Sequence, residues 1–350
     1  MKKLIIVIII FLSFIPNIHA YSTSATSSIL VELESGKIIH GKNINKQRGV
    51  ASISKIMTAI IAIESGKLDE EVVISNLAEK SYGSAIYIKE GEKLTLKDLV
   101  YGLMLRSGND AAIEISRFVS GSEEEFVKLM NKKAQELNMK NTIFNNPSGL
   151  DYNGGNISTA KDMSILMRYA MHNDIFKTIT KTKQYKLSTN LNNYLWINKN
   201  KLLKQYKYTI GGKTGYTEKV GRTLVTAAKK NKMTLIAVTL NDGNDFLDHK
   251  NLYEEGFKEY KLYKILSRGK LNILNETYYS NVTFYLKKDF YYPLLDIEKN
   301  NIIIHIKLDK NKDFKENSII GSLEVLLNDN ILYEDNIYIK SNKIEKKWLK

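Results

Sequence analysis

Ser52 and Lys55 carry two groups that could act together as a nucleophile and its base. They lie in residues 50–61, where apolar side chains recur with the spacing of a helix packed against a core. A separation of three residues brings helical side chains onto one face, so the serine hydroxyl would meet the lysine amine. An apolar wall weakens the hold of a lysine on its proton, so Lys55 could deprotonate Ser52 for attack on a carbonyl carbon.

The Ser-x-x-Lys spacing is a weak signal by itself. It also occurs at Ser158 and Ser267, and it marks a capped helix start more often than a nucleophile. Other chemistries have less support, because the chain has no cysteine and its five histidines form no His-x-x-x-His pair. We therefore expect no thiol nucleophile and no metal site, and a Ser-His-Asp triad is disfavoured.

A second motif could contribute to acyl transfer. Residues 106–110 contain Ser107, whose hydroxyl could relay a proton to a leaving amine. They also contain Asn109, whose amide could hold both Lys55 and the peptide carbonyl of a substrate. We interpret this segment as a tight turn between two helices, with exposed polar side chains.

A third motif, Lys-Thr-Gly, begins at Lys213 in a strand-like run. A charge on Lys213 would keep the earlier lysine from being the preferred proton site, and it would attract a carboxylate that the Thr214 hydroxyl could bind. Gly215 would let the strand approach a substrate closely. The backbone amides of Ser52 and Tyr216 would form an oxyanion hole.

The other patterns place these motifs in a mixed helical and strand-rich region. Helical spacing recurs in residues 94–105, 111–119, 163–171 and 252–263. Strand-like runs occur in residues 28–42 (a hairpin), 72–74, 85–88, 211–216, 223–228 and 233–240. Beyond Leu266 short strand-like runs prevail, so we predict a catalytic domain over residues 21–264 and a C-terminal β-sandwich domain over residues 265–350.

Residues 1–20 predict a cleaved signal peptide, because a charged start and an apolar run end at the small residue Ala20. An uncleaved anchor is disfavoured, since the run is short for a membrane span and Pro16 interrupts it. The protein would then be exported to the cell wall or to the outer face of the cytoplasmic membrane.

The formal charge of the chain is +14, and its lysines are scattered rather than arranged in the basic and aromatic stripe typical of nucleic-acid binding. We therefore expect no nucleic-acid partner. Peripheral contact with anionic wall polymers or a membrane surface is one interpretation of the charge, and a solvated basic surface is the other.

Together the three motifs resemble those of penicillin-binding proteins and serine β-lactamases, and their surroundings are most similar to the low-molecular-mass D-alanyl-D-alanine carboxypeptidases. The similar surroundings are residues 56–59, 104–106, 146–151, 216–217, 221–225 and 321–325. The resemblance implies an α/β (α+β) transpeptidase fold, with an antiparallel sheet flanked by helices. It also implies removal of the terminal D-alanine from peptidoglycan pentapeptides through an acyl-enzyme on Ser52, acylation of Ser52 by β-lactams, and no metal or cofactor.

Two departures from the family pattern affect binding. The loop before the last helix commonly carries a basic residue that helps to bind the substrate carboxylate, whereas residues 241–245 in this chain read Asn-Asp-Gly-Asn-Asp. Carboxylate binding is therefore expected from Lys213 and Thr214. Residues 344–350 are too short for the amphipathic anchoring helix in which the family often ends, so we expect no membrane attachment through them.

Two alternative functions, one enzymatic and one non-catalytic, are also compatible with the fold that the resemblance implies. A class A-like β-lactamase would need a deacylating Glu-x-x-Leu-Asn between the second and third motifs, whereas residues 324–328 carry that pattern past Lys213. The other alternative is a non-catalytic penicillin- or wall-binding protein, for which three intact motifs would be unnecessary.

Overall fold

The computed structural model describes residues 22–273, 276–279, 282–310 and 314–341. The predicted signal peptide, residues 1–20, lies outside the described residues. Within these ranges no helix combines the length and the apolar character that crossing a bilayer requires.

In chain order, the helices are α1 (Lys55–Glu64), α2 (Leu96–Arg106), α3 (Asn109–Ser120), α4 (Glu123–Glu136), α5 (Ala160–Ala170), α6 (Asp174–Lys181), α7 (Leu202–Gln205) and α8 (Asp245–Glu259). The strands are β1 (Ser27–Glu32), β2 (Ile38–Lys42), β3 (Arg48–Gly49), β4 (Glu71–Val73), β5 (Lys93–Thr95), β6 (Ile157–Ser158), β7 (Gln184–Ser188), β8 (Asn193–Ile197), β9 (Thr209–Thr217), β10 (Gly221–Lys230), β11 (Met233–Leu240), β12 (Lys261–Leu266), β13 (Gly269–Leu271), β14 (Val282–Leu286), β15 (Phe290–Leu294), β16 (Ile302–Leu308), β17 (Ile319–Leu327) and β18 (Asn330–Ser341).

The central sheet has the order β2-β1-β11-β10-β9, with every neighbouring pair antiparallel. The predicted hairpin and the three strands after residue 210 are confirmed. Strand β11 is buried at every position, as expected for a strand covered on both faces. Ile236 packs into the cluster around α1, α2 and α5, whereas Leu235 packs with Leu252 and Tyr253 of α8. The sheet therefore lies between two helical layers, and β9 forms one of its two edges.

Two predicted elements differ from the structure. Residues 85–88 form no strand, because the backbone N–H groups of Ile86 and Tyr87 donate to the carboxylate of Asp110 at 3.0 and 2.8 Å. Strand β4 pairs with β5 instead. The last helix, α8, begins seven residues before the predicted residue 252 and ends four residues before the predicted residue 263. It ends early because the chain from Lys261 onward pairs with β15.

In the described residues from Lys261 onward, the regular structure is all β apart from one short 3-10 turn, as predicted. Strands β13-β14-β18-β17-β16 form one antiparallel sheet, and β12 and β15 form a second, two-stranded one. Their core contains buried aliphatic side chains, among them Leu286, Leu323, Val325, Ile337 and Ile339. The change from helix to strand occurs between Glu259 and Lys261, and a domain boundary at residue 264 remains a prediction.

Candidate active site

Ser52 lies in a 3-10 turn, Ala51–Ser54, that leads directly into α1. Ala51 has a φ of +48°, and Gly149 packs so closely that a Cβ there would lie 2.2 Å from the Ala51 carbonyl oxygen. Gly149 itself has a φ of +78°, so a side chain at this position is excluded by both conformation and space. This packing fixes the backbone that presents Ser52, which remains partly exposed.

Lys55 occupies the first turn of α1 and is fully buried, as are most of the residues that follow it. Its Nζ donates to Ser52 Oγ at 3.2 Å, to Asn109 Oδ1 at 2.7 Å and to the Ser148 carbonyl oxygen. Burial lowers the pKa of Lys55 to about 7; the positive charge of Lys199 contributes further, and Asp110 opposes the shift. Near neutral pH the amine can therefore accept a proton from the hydroxyl that it contacts.

The turn between α2 and α3 positions Ser107 and Asn109. Ser107 ends α2 with a φ of +68°. The side-chain nitrogen of Asn109, Nδ2, donates to the Tyr82 carbonyl oxygen at 2.6 Å. The sequence interpretation of exposed side chains at this turn is wrong, because both residues are buried. The segment around Tyr82 covers the turn, so the Asn109 amide bridges that segment and the amine of Lys55.

Lys213 reaches the same site from β9. Its Nζ donates to Ser107 Oγ at 3.0 Å and to the Thr214 carbonyl oxygen at 2.7 Å. Its pKa is held well below the ordinary lysine value, chiefly by burial and next by the charges of Lys55 and Lys199. Burial is likewise the largest cause of the lowered pKa of Lys55, and the charge that lowers it further is that of Lys199 rather than the expected charge of Lys213.

Gly215 is the point where β9 approaches the nucleophile's turn. A Cβ at this position would lie 3.0 Å from the backbone nitrogen of Ser52 and 2.3 Å from Thr223 Oγ1. Glycine is therefore required for the strand to lie alongside Ser52. The side chain of the next residue, Tyr216, is 62% exposed.

An open cleft of about 640 Å³ borders this arrangement, and Ser52, Ser107, Thr214, Gly215 and Tyr216 all line it. Lys55, Asn109 and Lys213 are buried beside these residues and contact them through the hydrogen bonds described above. The structure thus brings together side chains that the sequence separates by about 160 positions. Within the described ranges, no group of three or more His, Asp or Glu side chains could hold a metal ion.

Sequence reasoning missed several basic residues that line the cleft. Arg222 lies on β10 directly opposite Tyr216 on β9, so the hairpin register could have located it. Lys199 precedes α7 and donates to Ser84 Oγ at 2.9 Å, and nothing in its surroundings in the sequence indicated a role. Lys201 and Lys204 add further positive charge, whereas Asp245 is the acidic residue of the lining.

Comparisons with known proteins agree with this geometry. The profile of the D-alanyl-D-alanine carboxypeptidase family matches residues 16–244, and that of the C-terminal domain of penicillin-binding protein 5 matches residues 260–345. D-alanyl-D-alanine carboxypeptidase DacF of Bacillus subtilis is 40% identical over 220 residues, which cover 61% of this chain and 56% of that protein. DacA of Escherichia coli K12 is 33% identical over 264 residues, covering 70% of this chain and 64% of that protein. The match thus spans less than two thirds of either relative.

Solved structures show the same similarity. Penicillin-binding protein 5 of Haemophilus influenzae superposes with a TM-score of 0.77 and 26% identity, covering 91% of this chain and 97% of that one. A mutant of the Streptomyces K15 DD-transpeptidase superposes with a TM-score of 0.65 and 29% identity, covering 68% of this chain and 99% of that one. The fold expected from the resemblance is confirmed, and the chain belongs to the D-alanyl-D-alanine carboxypeptidase family.

Proposed function

We propose that this protein is a serine-type D-alanyl-D-alanine carboxypeptidase that removes the terminal D-alanine from peptidoglycan pentapeptides. The observation that carries the proposal is the buried amine of Lys55, with a pKa lowered to about 7, at 3.2 Å from Ser52 Oγ. An amine in this state can activate a serine that would otherwise be a poor nucleophile.

In the acylation step, Ser52 Oγ attacks the carbonyl carbon of the penultimate D-alanine while Lys55 Nζ takes the hydroxyl proton. The backbone N–H groups of Ser52 and Tyr216 stabilise the negative oxygen of the tetrahedral intermediate. Breaking the C–N bond returns an electron pair to the leaving nitrogen, and the proton reaches that nitrogen through the hydroxyl of Ser107. The hydrogen bond from Lys213 to Ser107 Oγ orients this hydroxyl.

In the deacylation step, water attacks the ester carbonyl with Lys55 again as the base. The proton then returns to Ser52 Oγ, which restores the free enzyme and releases the shortened peptide. Asn109 keeps Lys55 in place through its Oδ1 at 2.7 Å and faces the peptide carbonyl of the substrate in this proposal.

The terminal carboxylate of the substrate needs a cationic and hydrogen-bonding partner. Lys213 is buried and already donates to two oxygens, whereas Thr214 and the exposed Arg222 both line the cleft. We therefore assign carboxylate binding to the Thr214 hydroxyl and to Arg222, which supplies the charge that the loop at residues 241–245 lacks, with the amine of Lys213 beside them. A guanidinium suits this role because it can bind a carboxylate through two hydrogen bonds.

The test combines labelling by fluorescent penicillin with release of D-alanine from a pentapeptide. Both activities should be present in the wild-type protein, and mass analysis of muropeptides should show loss of one D-alanine. Rapid turnover of penicillin would favour the β-lactamase alternative instead. Absence of labelling would favour the non-catalytic binding protein and would overturn the proposal.

The proposed location follows from the proposed substrate. Peptidoglycan lies outside the cytoplasmic membrane, so the protein would be exported through the predicted signal peptide at residues 1–20. Export would be tested by the N-terminal sequence of the mature protein, which should begin after Ala20.

A further inference from the structure

A second pocket, of about 620 Å³, adjoins the cleft at the end of α7. Its rim carries five lysines from three separate stretches of chain, and we call it the lysine pocket: Lys181, Lys183, Lys204, Lys207 and Lys250. All five are exposed, and within the part of the chain that the structure describes none of them forms an ion pair. One carboxylate, that of Glu254, lines the same pocket.

Two hydroxyl groups in the lining of the lysine pocket have no hydrogen-bond partner among the described residues. They belong to Tyr206 and Thr209, which are 4% and 7% exposed. A buried hydroxyl without a partner is unfavourable, and native structures rarely retain one unless water or a ligand satisfies it. Each of the two hydroxyls therefore has an unused donor proton next to the lysines of the pocket.

Packing holds the Tyr206 hydroxyl in place. Its ring stacks on Tyr253 at 5.9 Å between centroids and meets the edge of Tyr208 at 5.4 Å. Burial is the largest cause of the raised pKa of Tyr206, and both the charge of Glu254 and a side-chain interaction with its carboxylate raise that pKa further. The hydroxyl nevertheless makes no hydrogen bond of normal geometry to Glu254. The phenol therefore stays protonated, and it can donate a hydrogen bond to an anion.

We propose that the lysine pocket binds phosphate groups of a phosphodiester-linked polymer of the cell wall. A phosphodiester has two charged non-bridging oxygens that accept hydrogen bonds, which suits two hydroxyl donors together with several ammonium groups. Lysines spread around the rim can contact successive phosphates of one chain.

The position of the pocket favours a wall polymer, and this choice of source rests on the proposed function. Lys204 and Gln205 line both the lysine pocket and the cleft, so a polymer held in the pocket lies beside the peptidoglycan strand bound in the cleft. A phospholipid surface fits less well, because the described lining of the pocket includes no exposed large apolar side chain that could enter a bilayer.

The test is calorimetric titration of the full-length protein at low salt with three probes: inorganic phosphate, soluble poly(glycerol phosphate) and phosphatidylglycerol vesicles. The double variant Lys207→Gln/Lys250→Gln should weaken binding of poly(glycerol phosphate) at least tenfold. The matched control, Lys132→Gln/Lys140→Gln, removes the same charge from exposed positions outside the pocket and should change binding less than twofold. Equal weakening by both double variants would overturn the proposal, because it would show unspecific attraction.

The single variant Tyr206→Phe separates a ligand-binding role of the hydroxyl from a structural one. Because the hydroxyl has no partner, the variant should have a Tm at least as high as the wild type without phosphate, and it should lose the rise in Tm that phosphate causes in the wild type. A lower Tm without phosphate, or an unchanged rise with it, would contradict the proposed donor. Binding to vesicles without binding to the soluble polymer would overturn the choice of a wall polymer in favour of a membrane.

Penicillin labelling of every variant keeps this proposal distinct from the proposed function. None of the four substituted lysines lines the cleft, and neither does Tyr206, so labelling should proceed at the wild-type rate. A protein that binds poly(glycerol phosphate) as expected but is not labelled would refute the enzymatic proposal alone.

Discussion

The cleft and the lysine pocket both depend on lysines, yet they use them in opposite environments. Lys55 and Lys213 are buried, each donates to neutral oxygens, and burial lowers the pKa of both. The five lysines of the lysine pocket face solvent, where an ammonium group acts as a hydrated point charge. The same side chain is thus suited to proton transfer in one place and to anion binding in the other. Burial makes the difference.

The largest expected effect concerns the nucleophile. Ser52→Ala should abolish labelling by fluorescent penicillin, because the acyl group then has no oxygen to attach to. Ser267→Ala is the matched control, since Ser267 also stands three residues before a lysine but is exposed. Gel fluorescence measures both variants. Labelling that persists in Ser52→Ala would place the nucleophile elsewhere.

The next effect separates a buried lysine from an exposed one. Lys55→Met removes the base while keeping the length and apolar stem of the side chain, and the second-order rate of acylation should fall by roughly 10²- to 10⁴-fold. Lys207→Met, on the rim of the lysine pocket, should leave this rate unchanged. Stopped-flow or quenched labelling gives the rates. Similar rates for the wild type and Lys55→Met would show that Ser52 is activated by another group.

The pH dependence of the acylation rate tests the lowered pKa of the buried lysine. The folded pKa of Lys55 is lowered to about 7, so the neutral amine that acts as the base forms as the pH rises through 7. The acylation rate should therefore rise about tenfold per pH unit below 7 and level off above it. Since the charge of Lys199 contributes to the lowering, Lys199→Gln should move the profile to higher pH. A profile that keeps rising toward pH 10 would contradict a lowered pKa.

The smallest effect is expected at the exposed cation of the cleft. Arg222→Gln should raise KM for a pentapeptide by roughly two- to fivefold with little change in kcat, because an exposed charge pair contributes no more than about 1 kcal/mol. High salt should reduce the difference between the variant and the wild type. Steady-state release of D-alanine measures both parameters. An unchanged KM would remove Arg222 from carboxylate binding.

The sequence located the features that depend on neighbours along the chain. Helical spacing placed the Ser52 hydroxyl beside the Lys55 amine, and continuous apolar runs predicted β11 and its neighbours. The Thr159 side chain accepts the N–H of Asp162 and caps α5, so the Ser-x-x-Lys pattern at Ser158 lies at a capped helix start. These features follow from periodicity and capping, which are local properties of the chain.

Features that depend on distant contacts were missed or misread. The sequence suggests that Ser107 and Asn109 are exposed turn residues, whereas in the structure the segment around Tyr82 covers them. Residues 85–88 resemble a strand in the sequence, whereas in the structure the N–H groups of Ile86 and Tyr87 donate to the carboxylate of Asp110. The lysine pocket draws its rim from residues 181–250, which have no common pattern in the sequence. Such sites become visible only when the fold has brought their parts together.

The central claim, that burial makes Lys55 a base, is tested most directly by an NMR pH titration of lysine side chains in the folded protein. The resonance of Lys55, assigned by its loss in Lys55→Met, should titrate with a midpoint near 7. A midpoint near the ordinary lysine value of about 10.4 would contradict the claim.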